Sequence, residues 1–225
     1  MEFRSEAAAY LGAAALALTF HVTYERMLHD RQGTLEIANA GVSFLETADR
    51  NPRQAFSWAW SDIQRFELSE NHIRILSYKD RLWLAGADQP FDFRLPDDSS
   101  WREMYDELRA RLDSRFVARV AGDAGPPVWE MPVKLRNRSE GDLTIGRELI
   151  VYRTRQHGGS RTWRAQDIEN ISTSGEFDLQ IQSPEGSYSF QLKRPLPDAV
   201  YERVWLRLNQ SKGLQVLNQP TEMKQ

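Results

Sequence analysis

Three cations alternate along one short run, Lys134, Arg136 and Arg138, and lead into the loop Ser139-Glu140-Gly141. Alternate residues of an extended strand share a face, so the three positive groups would point the same way and could converge on an anionic headgroup. Glu140 and Asp142 beside them would repel a phosphate. A second set, Arg153, Arg155 and Arg161 with His157 and Arg164, surrounds Gly158-Gly159-Ser160. That stretch reads as an exposed hairpin tip, suited to an acidic partner. The competing reading of both sets is a solvated strand face or loop that binds nothing. The expected anion- or partner-binding residues are therefore Lys134, Arg136, Arg138, Arg153, Arg155 and Arg161.

Little else in the chain could do chemistry. His21, His29, His72 and His157 are scattered without close metal-ligand spacing, and there is no cysteine to act as thiolate ligand, nucleophile or disulfide half. Asp62 and Asp167 each precede an isoleucine in matching contexts. A lone carboxylate needs a second acid or base before it can catalyse, so both read as turn-forming aspartates that hydrogen-bond the backbone. Phosphate-cradling, nucleophile-elbow and dinucleotide-binding glycine motifs are missing. The expectation is a non-enzymatic protein with no cofactor and no bound metal. A hydrolase with an unrecognised site is the remote alternative.

The elements that would hold these residues come in two copies. Gly33-Thr34-Leu35-Glu36-Ile37, Trp58, Asp62-Ile63, Phe91-Asp92-Phe93 and Tyr105 with Leu108 and Leu112 recur as Gly141-Asp142-Leu143-Thr144-Ile145, Trp163, Asp167-Ile168, Tyr188-Ser189-Phe190 and Tyr201 with Val204 and Leu208. The offset shrinks from 108 residues (Gly33 to Gly141) to 96 (Tyr105 to Tyr201), as a fold copied and trimmed in its loops would give. Within the first copy Phe56, Trp58 and Trp60 alternate with small residues, the period of a strand. From Trp101 the period changes, and Met104, Tyr105, Leu108 and Leu112 make one helical stripe. Each copy thus reads as about seven short antiparallel strands followed by one amphipathic helix. Trp58 and Trp163, equivalent in the two copies, read as core anchors. Trp60, whose counterpart is Ala165, reads as a residue between the units or on an exposed patch.

The expected organisation is an N-terminal leader or helix over 1–21, a first unit over 22–118, a linker over 119–127, a second unit over 128–213 and a tail over 214–225. The stretch from Phe116 to Pro127 ends in Gly122-Asp123-Ala124-Gly125-Pro126-Pro127, a composition that opposes regular structure. Net charge is −3, split as 15 basic against 19 acidic residues up to residue 120 and 14 against 13 beyond it. Neither half has the positive field of a nucleic-acid binder. The apolar run Ala7–Val22 with Arg4 before it and Ala15-Leu16-Ala17 inside it resembles a signal peptide over 1–17. Export or envelope association follows, with an alanine-rich helix of a cytoplasmic protein as the alternative.

Trp163-Arg164-Ala165-Gln166-Asp167-Ile168-Glu169-Asn170-Ile171, repeated as Trp58-Ala59-Trp60-Ser61-Asp62-Ile63-Gln64-Arg65-Phe66, is similar to a stretch shared by pleckstrin-homology-like (PH-like) and GRAM-like domains. The resemblance covers about residues 22–115 and 128–212, and extends to bacterial proteins that carry a leader peptide and paired units of this kind. It implies a mainly β fold of two tandem PH-like barrels or sandwiches, each closed by its C-terminal helix. It does not imply an activity, since that superfold hosts lipid, phosphopeptide and peptide binding and scaffolding alike. The expected partner is a protein or peptide docking on a sheet edge, or in the groove between an edge strand and the helix. Anionic lipid binding by the second unit is the alternative, and the oligomeric state is left open.

Overall fold

The computed structural model describes residues 17–26, 29–47, 54–81, 84–96, 101–136 and 139–211. They are mainly β. In the first half, strands β1 (Leu18–Tyr24), β2 (Arg31–Ala38), β3 (Gly41–Glu46), β4 (Ala55–Ala59), β5 (Ile63–Ser69), β6 (His72–Arg81) and β7 (Leu84–Arg94) precede helix α1 (Trp101–Arg111). A short strand β8 (Phe116–Arg119) follows. The second half holds β9 (Trp129–Leu135), β10 (Glu140–Ile145), β11 (Leu149–Thr154), β12 (Arg161–Arg164), β13 (Asn170–Ser172), β14 (Asp178–Ser183), β15 (Gly186–Leu192) and helix α2 (Asp198–Ser211).

Hydrogen-bonded neighbours run β4-β3-β2-β1-β7-β6-β5 in the first half and β12-β11-β10-β9-β15-β14-β13 in the second, so both halves pass through the same antiparallel order. The repeated glycines have a geometric reason. A Cβ on Gly33 would stand 2.4 Å from the Phe44 ring, and one on Gly141 would stand 2.8 Å from the Tyr152 ring and 2.2 Å from the Arg153 carbonyl oxygen. Phe44 and Tyr152 are themselves 108 residues apart, so the same close approach of ring to backbone was copied.

Two apolar cores form. One gathers Leu35, Phe44, Trp58, Phe66, Phe93, Met104 and Leu108, the other Leu143, Tyr152, Trp163, Ile181, Phe190 and Leu208. Trp58 and Trp163 are each only 2% exposed, in the places the repeat assigns them. Trp60 lies neither between the halves nor on a bare patch. It packs half-buried on the first core, donates from Nε1 to the Asn39 carbonyl at 3.0 Å and sits under the Arg111 guanidinium.

Two boundaries differ from the sequence reading. β1 begins at Leu18 and not at Val22, because Phe20 completes the first core. Phe116–Arg119, read as the end of a unit running into a linker, is a strand that pairs parallel with β5 and touches β12 at Ala118–Thr162. Phe116, Val117 and Ala118 are buried, and three apolar residues in a row gain more by filling that gap than by staying solvated. Thr162 then donates to the Val120 carbonyl and accepts from the Gly122 amide, at 2.7 and 2.8 Å, which ties the connection to the second half. Residues 121–127 carry no regular structure, as their composition leads one to expect. The leader pattern over 1–16 and the tail from 212 lie outside the described residues.

Tyr24, Tyr105 and Tyr188 are buried, and burial pushes each phenol above its ordinary range. Below about pH 10 these groups stay protonated in folded and unfolded chains alike. Above it the unfolded chain ionises first, so their contribution to stability is lost as pH climbs through the raised folded values. In an alkaline titration followed by tyrosinate absorbance, these three phenols are expected to ionise only as the fold melts. Their ionisation in the native baseline would contradict the burial.

Candidate functional site

The six expected cations do not form one site. Lys134 on β9 and Arg136, just past its end, line a groove of about 490 Å³ together with Ser172, Thr173, Ser174 and Asp178. Arg153 and Arg155 line a separate cleft of about 670 Å³ between the halves, where Glu70, Trp101 and Arg102 of the first half face them. Asp142 stands directly across the ladder from Arg153, and Glu140 across from Lys134, so these two cations each have a carboxylate in cross-strand register. Arg138 lies outside the described residues.

Arg161 corrects the sequence reading. It is 5% exposed and cannot meet a partner. Its Nε donates to the Tyr188 hydroxyl at 3.0 Å, its guanidinium donates to the carbonyls of Gly158 and Ser160, and the Glu185 carboxylate lies 3.7 Å away. The hairpin tip folds back over this side chain because a buried guanidinium must find acceptors. Arg161→Ala is expected to destabilise the protein by about 1.5–3 kcal/mol, the worth of hydrogen bonds to a charged group. The exposed Arg155→Ala should stay within about 0.5 kcal/mol. Equal effects in chemical denaturation would contradict the distinction.

Arg164, from the same basic stretch, is a junction between the halves. It holds Asp167 in a bidentate pair and donates to the carbonyls of Arg109 and Leu112 at 2.7 and 2.6 Å, and to that of Asp113. Those carbonyls end α1, where a helix has unpaired acceptors and the negative end of its dipole. Burial pushes the pKa of the Asp167 carboxyl above the usual carboxylate range, while the Arg164 bonds pull it back. The Asp167 carboxylate also accepts from the Arg164 amide at 2.7 Å, and Asp62 accepts from the Ala59 amide at 3.3 Å. Both aspartates therefore turn the chain through a short 3₁₀ segment. Among the described residues no three His, Asp or Glu side chains converge as a metal site would require.

The clearest binding geometry is one that the chain makes with itself. β8 adds to the outer edge of β5 with Phe66 facing Phe116 and Leu68 facing Ala118, and the Phe66 amide donates to the Arg115 carbonyl at 2.9 Å. The Phe116 ring lies between Phe66 on β5 and Tyr105 on α1, at 6.4 and 5.8 Å between centroids. The equivalent elements of the second half are β13 and α2, with Ile171 for Phe66 and Tyr201 for Tyr105. Among the described residues no strand pairs with β13 on that side. Instead the Tyr201 hydroxyl reaches across and donates to the Ile171 carbonyl at 3.2 Å. A strand residue's N–H and C=O point to the same side, so the Ile171 amide also faces α2. Sequence reading named an edge beside a helix but not this edge. The signal was Phe116-Val117-Ala118, three apolar residues placed after a helix that already had its stripe.

No protein-family model matches the chain, and no curated protein matches it. Among solved structures it is similar to the Spt16D Pob3N heterodimer at 12% identity and a TM-score of 0.34, over 76% of this chain and 84% of that one. It is also similar to the C-terminal domain of an unknown protein from Leishmania infantum, at 9% identity and a TM-score of 0.30, over 48% of this chain and 94% of that one.

Proposed function

We propose that this is a non-enzymatic interaction protein built from two PH-like units, each closed by its C-terminal helix, and that it binds an extended segment of another protein by strand addition. The acceptor is the β13 edge beside α2. One observation carries the reading: β8 occupies the matching edge of β5, so the fold has room for an added strand at this position. Backbone bonds supply affinity in such a mode, and pockets for alternate side chains supply selectivity. The protein acts at the cell envelope or outside the cell. Removal of residues 1–17 would leave β1 whole, since that strand starts at Leu18. The mature N-terminus, read by mass spectrometry, should fall near Leu18, and an intact Met1 would overturn export.

The groove at Lys134 and Arg136, with its serine and threonine hydroxyls, favours a second reading in which an anionic lipid headgroup binds there. One comparison separates the two. Extended peptides are selected from a library against the full chain, and binding is measured again with Thr173→Pro, which removes an exposed amide two residues beyond Ile171. The proline should weaken binding about tenfold or more while leaving the β13–β14 ladder intact. Peptide binding unchanged by this proline would overturn strand addition. Salt-dependent flotation with anionic vesicles, lost in Lys134→Ala/Arg136→Ala, would then favour the headgroup reading.

A further inference from the structure

The two halves present the same groove in different states, and the difference describes its occupant. In the first half the Phe116 ring stands between Phe66 and Tyr105, and the Tyr105 hydroxyl makes no bond to β5. In the second half, among the described residues, no strand fills that space, and Tyr201 holds the Ile171 carbonyl. One turn beyond Tyr105 comes Arg109. One turn beyond Tyr201 comes Trp205, a large apolar side chain left 40% exposed.

Helix geometry says where Trp205 lies. Val204 and Leu208 point into the second core, and Arg207, on the flank towards β10 and β11, reaches the Gly146 carbonyl. Tyr201 marks the other flank, towards β13. At 100° per residue, Trp205 and Asp198 follow Tyr201 on that flank. The β13 side of α2 therefore offers one exposed indole and one carboxylate. In the strand that fills the first groove, Phe116 is flanked by Arg115, which donates to the Trp60 and Ile63 carbonyls, and by Arg119, which pairs with Glu67.

We infer that Tyr201 is a latch over the β13 groove, and that the partner strand which displaces it carries an aromatic residue flanked by basic ones. The inference rests on the strand-addition reading above. The incoming aromatic ring takes the position between Ile171 and Tyr201 that Phe116 takes between Phe66 and Tyr105. Trp205 covers the ring, Asp198 meets a flanking cation, and the partner runs in the direction of β8 so that the Ile171 amide donates to it. The Tyr201–Ile171 hydrogen bond must break first, and this lowers the affinity of every ligand that enters.

The probe is the chain's own β8 segment, residues 114–120, added as a free peptide to the full protein with a scrambled peptide as control. Binding is measured by calorimetry, and the site is read from amide exchange at Ile171. The peptide should bind and slow exchange at Ile171. Tyr201→Phe should tighten binding about three- to tenfold, the worth of one hydrogen bond no longer to be broken. Trp205→Ala should weaken it about tenfold or more, and Phe116→Ala in the peptide should abolish it. Protection at Ile171 with affinities unchanged in Tyr201→Phe and Trp205→Ala would overturn the latch and leave strand addition standing. The latch also falls if Tyr201→Phe weakens binding. A β8 peptide that does not bind, while library peptides still protect Ile171, would overturn the aromatic-basic partner alone. Failure of every peptide to protect Ile171 would overturn strand addition itself.

Discussion

Arg164→Ala is expected to lower stability by about 3–5 kcal/mol, the cost of leaving one partner of a buried ion pair without the other. Arg164 and Asp167 side chains are only 13% and 11% exposed, so solvent cannot replace what is lost. The same substitution uncaps α1 and removes a link between the halves. Chemical denaturation measures the loss, and amide exchange should report faster opening of the last turn of α1. The double variant Arg164→Met/Asp167→Asn should regain much of the stability, because no charge then stays buried. A double variant no better than Arg164→Ala would mean that the carbonyl contacts to α1 carry the effect and the ion pair little.

Trp163→Ala should cost about 3–5 kcal/mol, the usual price of deleting a large buried aromatic side chain. Its ring lies 5.0 Å from Tyr188 and 6.3 Å from Phe190, edge-on to both, at the centre of the second core. The indole N–H has no acceptor, so nothing of the residue's worth comes from a hydrogen bond. Trp163→Phe should therefore be much milder, because it removes an unsatisfied donor along with part of the volume. Trp58→Ala should behave like Trp163→Ala, with Trp58 packed edge-on against Phe91 at 4.7 Å. An unchanged melting temperature in Trp163→Ala would contradict the core assignment in both halves.

The strands and helices were legible because what repeats is what packs. Gly33 and Gly141, Trp58 and Trp163, Leu112 and Leu208 each have one physical task that must be met twice. β8 was illegible for the opposite reason. Phe116–Arg119 has no counterpart that the repeat makes visible, and its pairing with β5 joins residues about fifty apart through backbone groups that every sequence possesses. Arg155, Arg161 and Arg164 look alike as letters. Only the fold separates a solvated cation from one closed over Tyr188 and one capping α1. The acceptor edge was half legible, as an edge strand beside a helix, and its address at Ile171 emerged from comparing two grooves that differ in what fills them.

The most direct test of strand addition at β13 is the exchange rate of the Ile171 amide when the full protein is saturated with a library-selected extended peptide. That amide is the counterpart of the Phe66 amide, which donates to the Arg115 carbonyl in the filled groove. Its exchange should slow markedly on saturation, with no comparable change along β4 at the opposite end of the sheet. Unchanged exchange at Ile171, with slowing confined to β4 or to the strands bearing Lys134 and Arg136, would contradict the account.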